Sequence, residues 1–114
     1  MTDSLKIFGM NVRGLSNRPK RRDVFHWLRS KRMSIYCLVD IHVDDKIYDV
    51  FTLDWGAECV ISSFSSNSRG VAILFSHNLE YKVLEVERDN IGNMLIVKLC
   101  CLFPLLELCI QGYG

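Results

Sequence analysis

Residues 5–42 read LKIFGMNVRGLSNRPKRRDVFHWLRSKRMSIYCLVDIH, and the order of their apolar and polar runs decides the fold class. The run 5–12 is short and apolar and is closed by the turn formers Arg13-Gly14, which predicts a buried strand delivering Asn11 at its carboxyl end. Pro19 then opens a helix, because its missing N–H costs nothing in a first turn. Val24, Trp27 and Leu28 follow at i, i+3, i+4 and predict the buried face of that helix. Residues 35–39 (IYCLV) predict a second buried strand, ending in the polar Asp40 and His42. Strand, helix, strand over this distance is the crossover unit of an α/β (α+β) architecture.

Beyond that unit, Asp44 and Asp45 can cap a short helix with Ile47, Val50 and Phe51 on one face, stopping near Trp55-Gly56. A strand-rich region follows at 59–62, 71–75, 81–87 and 94–99, with a Ser-rich loop at 62–68 and a hairpin loop at 89–93. Residues 100–110 are nearly all apolar and show no clean period, and no internal repeat is visible.

With 114 residues, 49% hydrophobic and 24% charged, the chain has the composition of one packed domain, not of a disordered or collagen-like segment. The longest apolar stretch, 94–110, contains Lys98, Pro104 and Glu107, so no membrane span is expected. Five cysteines form an odd set without C-x-x-C spacing, which favours a reducing, intracellular setting, with cytoplasm and nucleus undivided, and predicts buried small hydrophobes. The net charge of +1 hides an asymmetry, for residues 13–32 hold eight basic side chains against the single acid Asp23. Such a segment suits phosphates, since Lys and Arg gain affinity by displacing condensed counterions, and it equally suits a solvated helix flank.

Asn11 and Asp40 close two buried strands, and ligands of α/β sheets gather at strand carboxyl ends. A lone Asp there more often caps a helix or anchors a loop, so the surrounding sequence carries the weight. Asn11-Val12-Arg13-Gly14-Leu15, the basic helix and Cys37-Leu38-Val39-Asp40-Ile41-His42 resemble the opening of the exonuclease-endonuclease-phosphatase superfamily. The likeness is strongest to the apurinic-type endonuclease domains of LINE-type (non-LTR) retrotransposons, whose patterns are N-x-R-G-L and C-L-Q-E-x-H. It continues through Trp55-Gly56, the SNSRGVAILF run at 66–75, Val86-Glu87-Arg88-Asp89 and Leu95-Ile96-Val97.

This resemblance implies a phosphodiesterase that uses Mg²⁺ to polarise a phosphate of DNA. It implies a fold that is the truncated half of a four-layer α/β sandwich, mainly one mixed sheet with flanking helices. Residues 1–99 would be the amino-terminal part of the domain and 100–114 a degenerate apolar end. On matching positions, Asn11 orients phosphate or attacking water, Asp40 stands at the metal-binding carboxylate, and His42 braces the loop. Tyr113, in a degraded N-V-Y-[AG]-P motif, would be the active-site tyrosine, and Arg13, Arg21, Arg22 and Arg69 would contact nucleic acid. Arg69 has a structural salt bridge as its plainer role.

The departures matter. Asp40 is one methylene shorter than the family's Glu, and Mg²⁺ demands near-octahedral geometry at about 2.0 to 2.1 Å. The family's G-D-F-N and S-D-H segments, which supply the nucleophile-positioning carboxylate and the general base, have no counterpart in this sequence. A catalytically inactive fragment is therefore expected. Binding of nucleic acid through 13–32 without cleavage, or weak Mg²⁺-dependent nicking when another chain supplies the missing half, are the alternatives. The inner apolar face of a lone sheet would lack a partner, which predicts self-association.

Overall fold

A computed structural model describes residues 5–101 and 105–112. The crossover unit forms as the sequence predicts, with β1 (Ile7–Asn11), α1 (Arg18–Ser30) and β2 (Ile35–Val39) in succession and β1 parallel to β2. Asn17 caps α1, its side-chain oxygen accepting the Lys20 N–H at 3.0 Å. The buried face differs from expectation, for Arg21, Phe25 and Leu28 point inward while Trp27 is 43% exposed. The helix is rotated because its inner side meets a carboxylate, Asp54 of α2, which draws Arg21 into the interior.

A single 3-10 turn (Asp45–Ile47), capped by Asp44, leads into α2 (Tyr48–Trp55), which ends at Gly56 in the left-handed conformation. Phe51 and Trp55 form its buried side, and Val50 is partly exposed instead. Trp55 ties the layer together, its Nε1 donating to the Phe75 carbonyl at 2.8 Å and its ring meeting Phe25 and Tyr36 edge-on.

The remaining strands are β3 (Cys59–Ser62), β4 (Val71–Phe75), β5 (Tyr81–Arg88), β6 (Met94–Cys101) and β7 (Leu105–Gln111). They make two sheets, a mixed one in the order β1-β2-β4-β3 and an antiparallel one in the order β5-β6-β7. The class is thus mixed α+β, compatible with a truncated α/β sandwich. Alternation along each central strand feeds two cores. Tyr36 and Leu38 of β2 with Ala72 and Leu74 of β4 face the helices, joining Phe25, Leu28, Phe51 and Trp55. Ile35, Val71, Ile73 and Phe75 face the other way, against Leu95, Val97, Leu99 and Ile110 of the second sheet. Strand β4, apolar at all five positions, is buried on both sides.

Three layers result: helices, mixed sheet, antiparallel sheet. The inner face that was expected to lack a partner is covered by the second sheet, which removes the surface on which self-association was predicted. Strand β7 explains the change. Its register runs unbroken from Cys100↔Leu105 to Met94↔Gln111, and Leu106, Leu108 and Ile110 point inward. The period of two is masked in the sequence because outward positions also carry apolar residues, Leu105 at 73% exposure and Cys109. The cysteines depart from expectation likewise, since none is fully buried and Cys100 and Cys109 lie exposed on outward positions of β6 and β7. Among the described residues no helix is long and apolar enough to cross a membrane.

Candidate functional site

Because β1 and β2 are parallel and in register from Ile7↔Ile35 to Asn11↔Val39, their carboxyl ends coincide. Asn11 Nδ2 there donates to Asp40 Oδ2 at 3.1 Å, and Asn11 Oδ1 accepts the Arg13 N–H at 2.9 Å. The second bond fixes which end of the amide faces the carboxylate. Two backbone bonds of 2.7 Å, Gly14 N–H to Asp40 O and Leu15 N–H to Ile41 O, hold the two loops side by side. His42 lies 3.9 Å from Asp40 through Nε2 and Oδ1, and its ring packs so closely on Gly14 that a Cβ there would come within 3.1 Å of Nδ1.

The backbone at this edge is unusual. Arg13, Asp40, His42 and Arg69 all take positive φ, at 51, 57, 51 and 62°. Each such non-glycine residue costs about 1–2 kcal/mol, and strain of this kind gathers where a site needs a side chain aimed against the local preference.

Strand β4 runs antiparallel to β2, so its entry meets the β2 exit: Ile41 N–H donates to Gly70 O at 3.1 Å and His42 N–H to Arg69 O at 2.9 Å. The second sheet closes on the same edge, with Gly70 N–H donating to Gly92 O at 2.8 Å and Gly112 N–H to Asn93 O at 2.7 Å. Ser62 Oγ donates to Asp89 Oδ1 at 3.2 Å. Burial pushes the Asp89 carboxyl up, but donors from Asn93, Met94 and Ser62 together outweigh it and hold the group below its usual range.

Of the residues singled out from the sequence, Asn11, Asp40 and His42 come together, and the backbones of Arg13 and Arg69 complete their loops. Arg22 is exposed on α1. Arg21 is a correction: it is 2% exposed, and its guanidinium donates to Asp54 Oδ2 at 2.9 Å and to Leu15 O at 3.0 Å, so it fastens α1 to α2 and cannot reach a ligand. Tyr113 lies outside the described residues. Arg69 makes no salt bridge among the described residues; its guanidinium sits 4.8 Å from the ring centroid of Phe64. The Asp54 side chain is 5% exposed and takes both Arg18 and Arg21. Phe64 has no signal in the sequence, because a single aromatic within a serine run carries no pattern.

For a divalent cation the site offers one carboxylate, Asp40, partly exposed, and no cluster of three metal-ligating side chains occurs among the described residues. A divalent cation here would draw one ligand from the protein and the rest from water or a bound phosphate.

No family model matches the sequence. Among solved structures, TDP2 from Caenorhabditis elegans is similar, with a TM-score of 0.61 and 17% identity over 92% of this chain and 34% of that chain. A truncated form of the same nematode protein gives a TM-score of 0.60 at 17% identity, covering 92% of this chain and 44% of its own. The chain therefore spans about a third of the length of the TDP2 chain it matches. At that identity the likeness establishes the shared fold.

Proposed function

We propose that this chain is the amino-terminal part of a metal-dependent phosphodiesterase domain acting on DNA, of the apurinic-type endonuclease kind carried by LINE-type retrotransposons. On this reading it binds a phosphodiester and a cation without completing hydrolysis by itself. The observation that carries the reading is the Asn11–Asp40 hydrogen bond of 3.1 Å at two converging strand ends, held by left-handed backbone at Asp40. The fold shared with TDP2 supports it.

Asp40 is the residue that would hold Mg²⁺, and the cation, when bound, supplies charge stabilisation at a phosphoryl oxygen. Asn11, its amide orientation set by the Arg13 N–H, presents Nδ2 beside the carboxylate, where it orients a phosphate oxygen or a water. His42 braces the loop against Gly14. The carboxylate that positions the nucleophile and the general base of the family find no match in this sequence, which is why turnover is not expected of the chain alone.

A second reading, nucleic-acid binding through 13–32 without cleavage, draws on the charge of that segment, much of which has other duties. Arg18 and Arg21 pair with Asp54, Lys20 donates to Arg13 O, and Arg29 donates to Trp55 O at the end of α2. Arg13, Arg22, Lys31 and Arg32 remain as exposed cations without such hydrogen-bond or ion-pair partners among the described residues, Lys31 lying over the Trp27 ring. The deciding experiment is a thermal melt with and without Mg²⁺ plus a supercoiled-plasmid nicking assay, on the wild type and Asp40→Ala. Stabilisation by Mg²⁺ that Asp40→Ala abolishes, without nicking, is expected, because a ligand that binds only the native state raises its stability. Nicking that Asp40→Ala removes would establish retained activity. A melt indifferent to Mg²⁺ together with no nicking would overturn the proposal.

A further inference from the structure

We infer that Phe64 is a stacking platform for a nucleobase of single-stranded nucleic acid at the rim of the Asn11–Asp40 site, an inference that rests on the phosphodiester reading above. Phe64 is 49% exposed although its neighbours in the loop are tied down on both sides. Ser63 shares a hydrogen bond with the Tyr48 hydroxyl of α2, and Ser62 donates to Asp89. Ser65 Oγ accepts the N–H groups of Asn67 and Ser68, each at 3.2 Å. At the root of the side chain, Gly92 comes so near that a Cβ on it would lie 2.9 Å from Phe64 Cβ and from Phe64 N. An exposed ring on a braced loop is already ordered before any ligand arrives, so little conformational entropy is left to lose on binding.

The surroundings of the ring select the ligand class. Arg69 covers it from one side, its guanidinium 4.8 Å from the centroid, and the Arg69 carbonyl accepts the His42 N–H. An aromatic face and a cation thus sit together on a loop whose backbone is hydrogen-bonded to His42, two residues along the chain from the carboxylate that would handle the phosphate. A nucleotide matches this pairing, with its base on the ring and its phosphate toward the cation and Asp40. Bases of every identity have a π-face, so the platform favours unpaired over paired nucleic acid without reading sequence. An isolated apolar surface residue needs no such explanation; the guanidinium stack, the braced loop and the position beside the strained strand ends are what distinguish this one.

Fluorescence anisotropy of the full chain decides the matter, using a labelled short oligothymidylate and an abasic strand of the same length, with Phe64→Ala, Phe64→Leu and Phe64→Trp. The expected result is oligothymidylate bound about tenfold more tightly than the abasic strand, the preference lost in Phe64→Ala and Phe64→Leu and restored in Phe64→Trp. Phe64→Leu keeps apolar bulk and so controls for folding, which a thermal melt of each variant verifies. Equal, salt-sensitive binding of both strands by the wild type, or a preference that Phe64→Leu leaves intact, would overturn the stacking role and leave the phosphodiester reading standing. Failure to bind either strand would overturn both.

Discussion

Asn11 and Asp40, 29 residues apart in the chain, share a hydrogen bond of 3.1 Å because β1 and β2 are parallel and end together. Asp40 makes this bond at a φ of 57°, a conformation glycine tolerates and other L-residues adopt at a cost. The carboxylate is therefore aimed at the expense of stability.

That cost can be measured by replacing Asp40 with two residues that both lack the carboxylate. Asp40→Gly and Asp40→Ala lose the Asn11 bond equally, so their difference isolates the backbone. The left-handed penalty on Ala exceeds the extra unfolded-state entropy of Gly by about 0.5–1 kcal/mol. Asp40→Gly should then melt about 3 °C above Asp40→Ala, with neither responding to Mg²⁺. Identical melting temperatures would show that Asp40 is not strained.

The buried ion pair predicts a pH dependence. Hydrogen bonds from Arg18 above all, then from Arg21, hold the Asp54 carboxyl below its usual range. A depressed folded-state pKa contributes stability that is complete above the unfolded value of about 3.9 and is lost as pH falls toward the folded one. Wild-type stability should fall more steeply below about pH 4 than that of Asp54→Asn, with Asp89 leaving a residual slope in the variant. At neutral pH Asp54→Asn should cost about 3 kcal/mol, since Arg21 stays buried without its counter-charge. Urea titrations at several pH values would register both effects.

Thiol reactivity should divide the cysteines by position. Burial pushes the Cys37 thiol up to about 11 and the Cys59 thiol up to about 12, whereas Cys100 and Cys109 are exposed. Because the thiolate is the nucleophile, iodoacetamide at neutral pH should alkylate Cys100 and Cys109 first and spare Cys37 and Cys59 until the chain is denatured. Peptide mapping by mass spectrometry would read the order, and early labelling of Cys59 would contradict the packing of β3.

The crossover unit was legible because LKIFGMNV and IYCLV are apolar runs with polar ends, and that alone placed Asn11 and Asp40 at one edge. What stayed hidden depended on partners far along the chain. Arg21 looks like a surface cation until Asp54, 33 residues away, is known to meet it. Strand β7 has Leu105 and Cys109 where polar residues would have marked the outward face. Positive φ at Asp40 and Arg69 leaves no trace in residue type, and Phe64 gains meaning only from Arg69 and Gly92 folding around it.

The core shared by the two sheets predicts energetic coupling across it. Ile73 of β4 and Leu95 of β6 are both fully buried in the cluster between the sheets, while Leu28 of α1 belongs to the cluster under the helices. Leu95→Ala should cost about 2–4 kcal/mol and Ile73→Val about 1 kcal/mol, as losses of transfer energy plus a residual cavity. Residues that line one cavity relax together, so the double variant Ile73→Val with Leu95→Ala should deviate from additivity by about 0.5 kcal/mol or more. Ile73→Val with Leu28→Ala, separated by the sheet itself, should add. Urea midpoints of the singles and doubles give the coupling directly. Additivity in both pairs would mean that β5, β6 and β7 fold as a separate ribbon and that the inner face of the mixed sheet is open after all, which would restore the case for self-association.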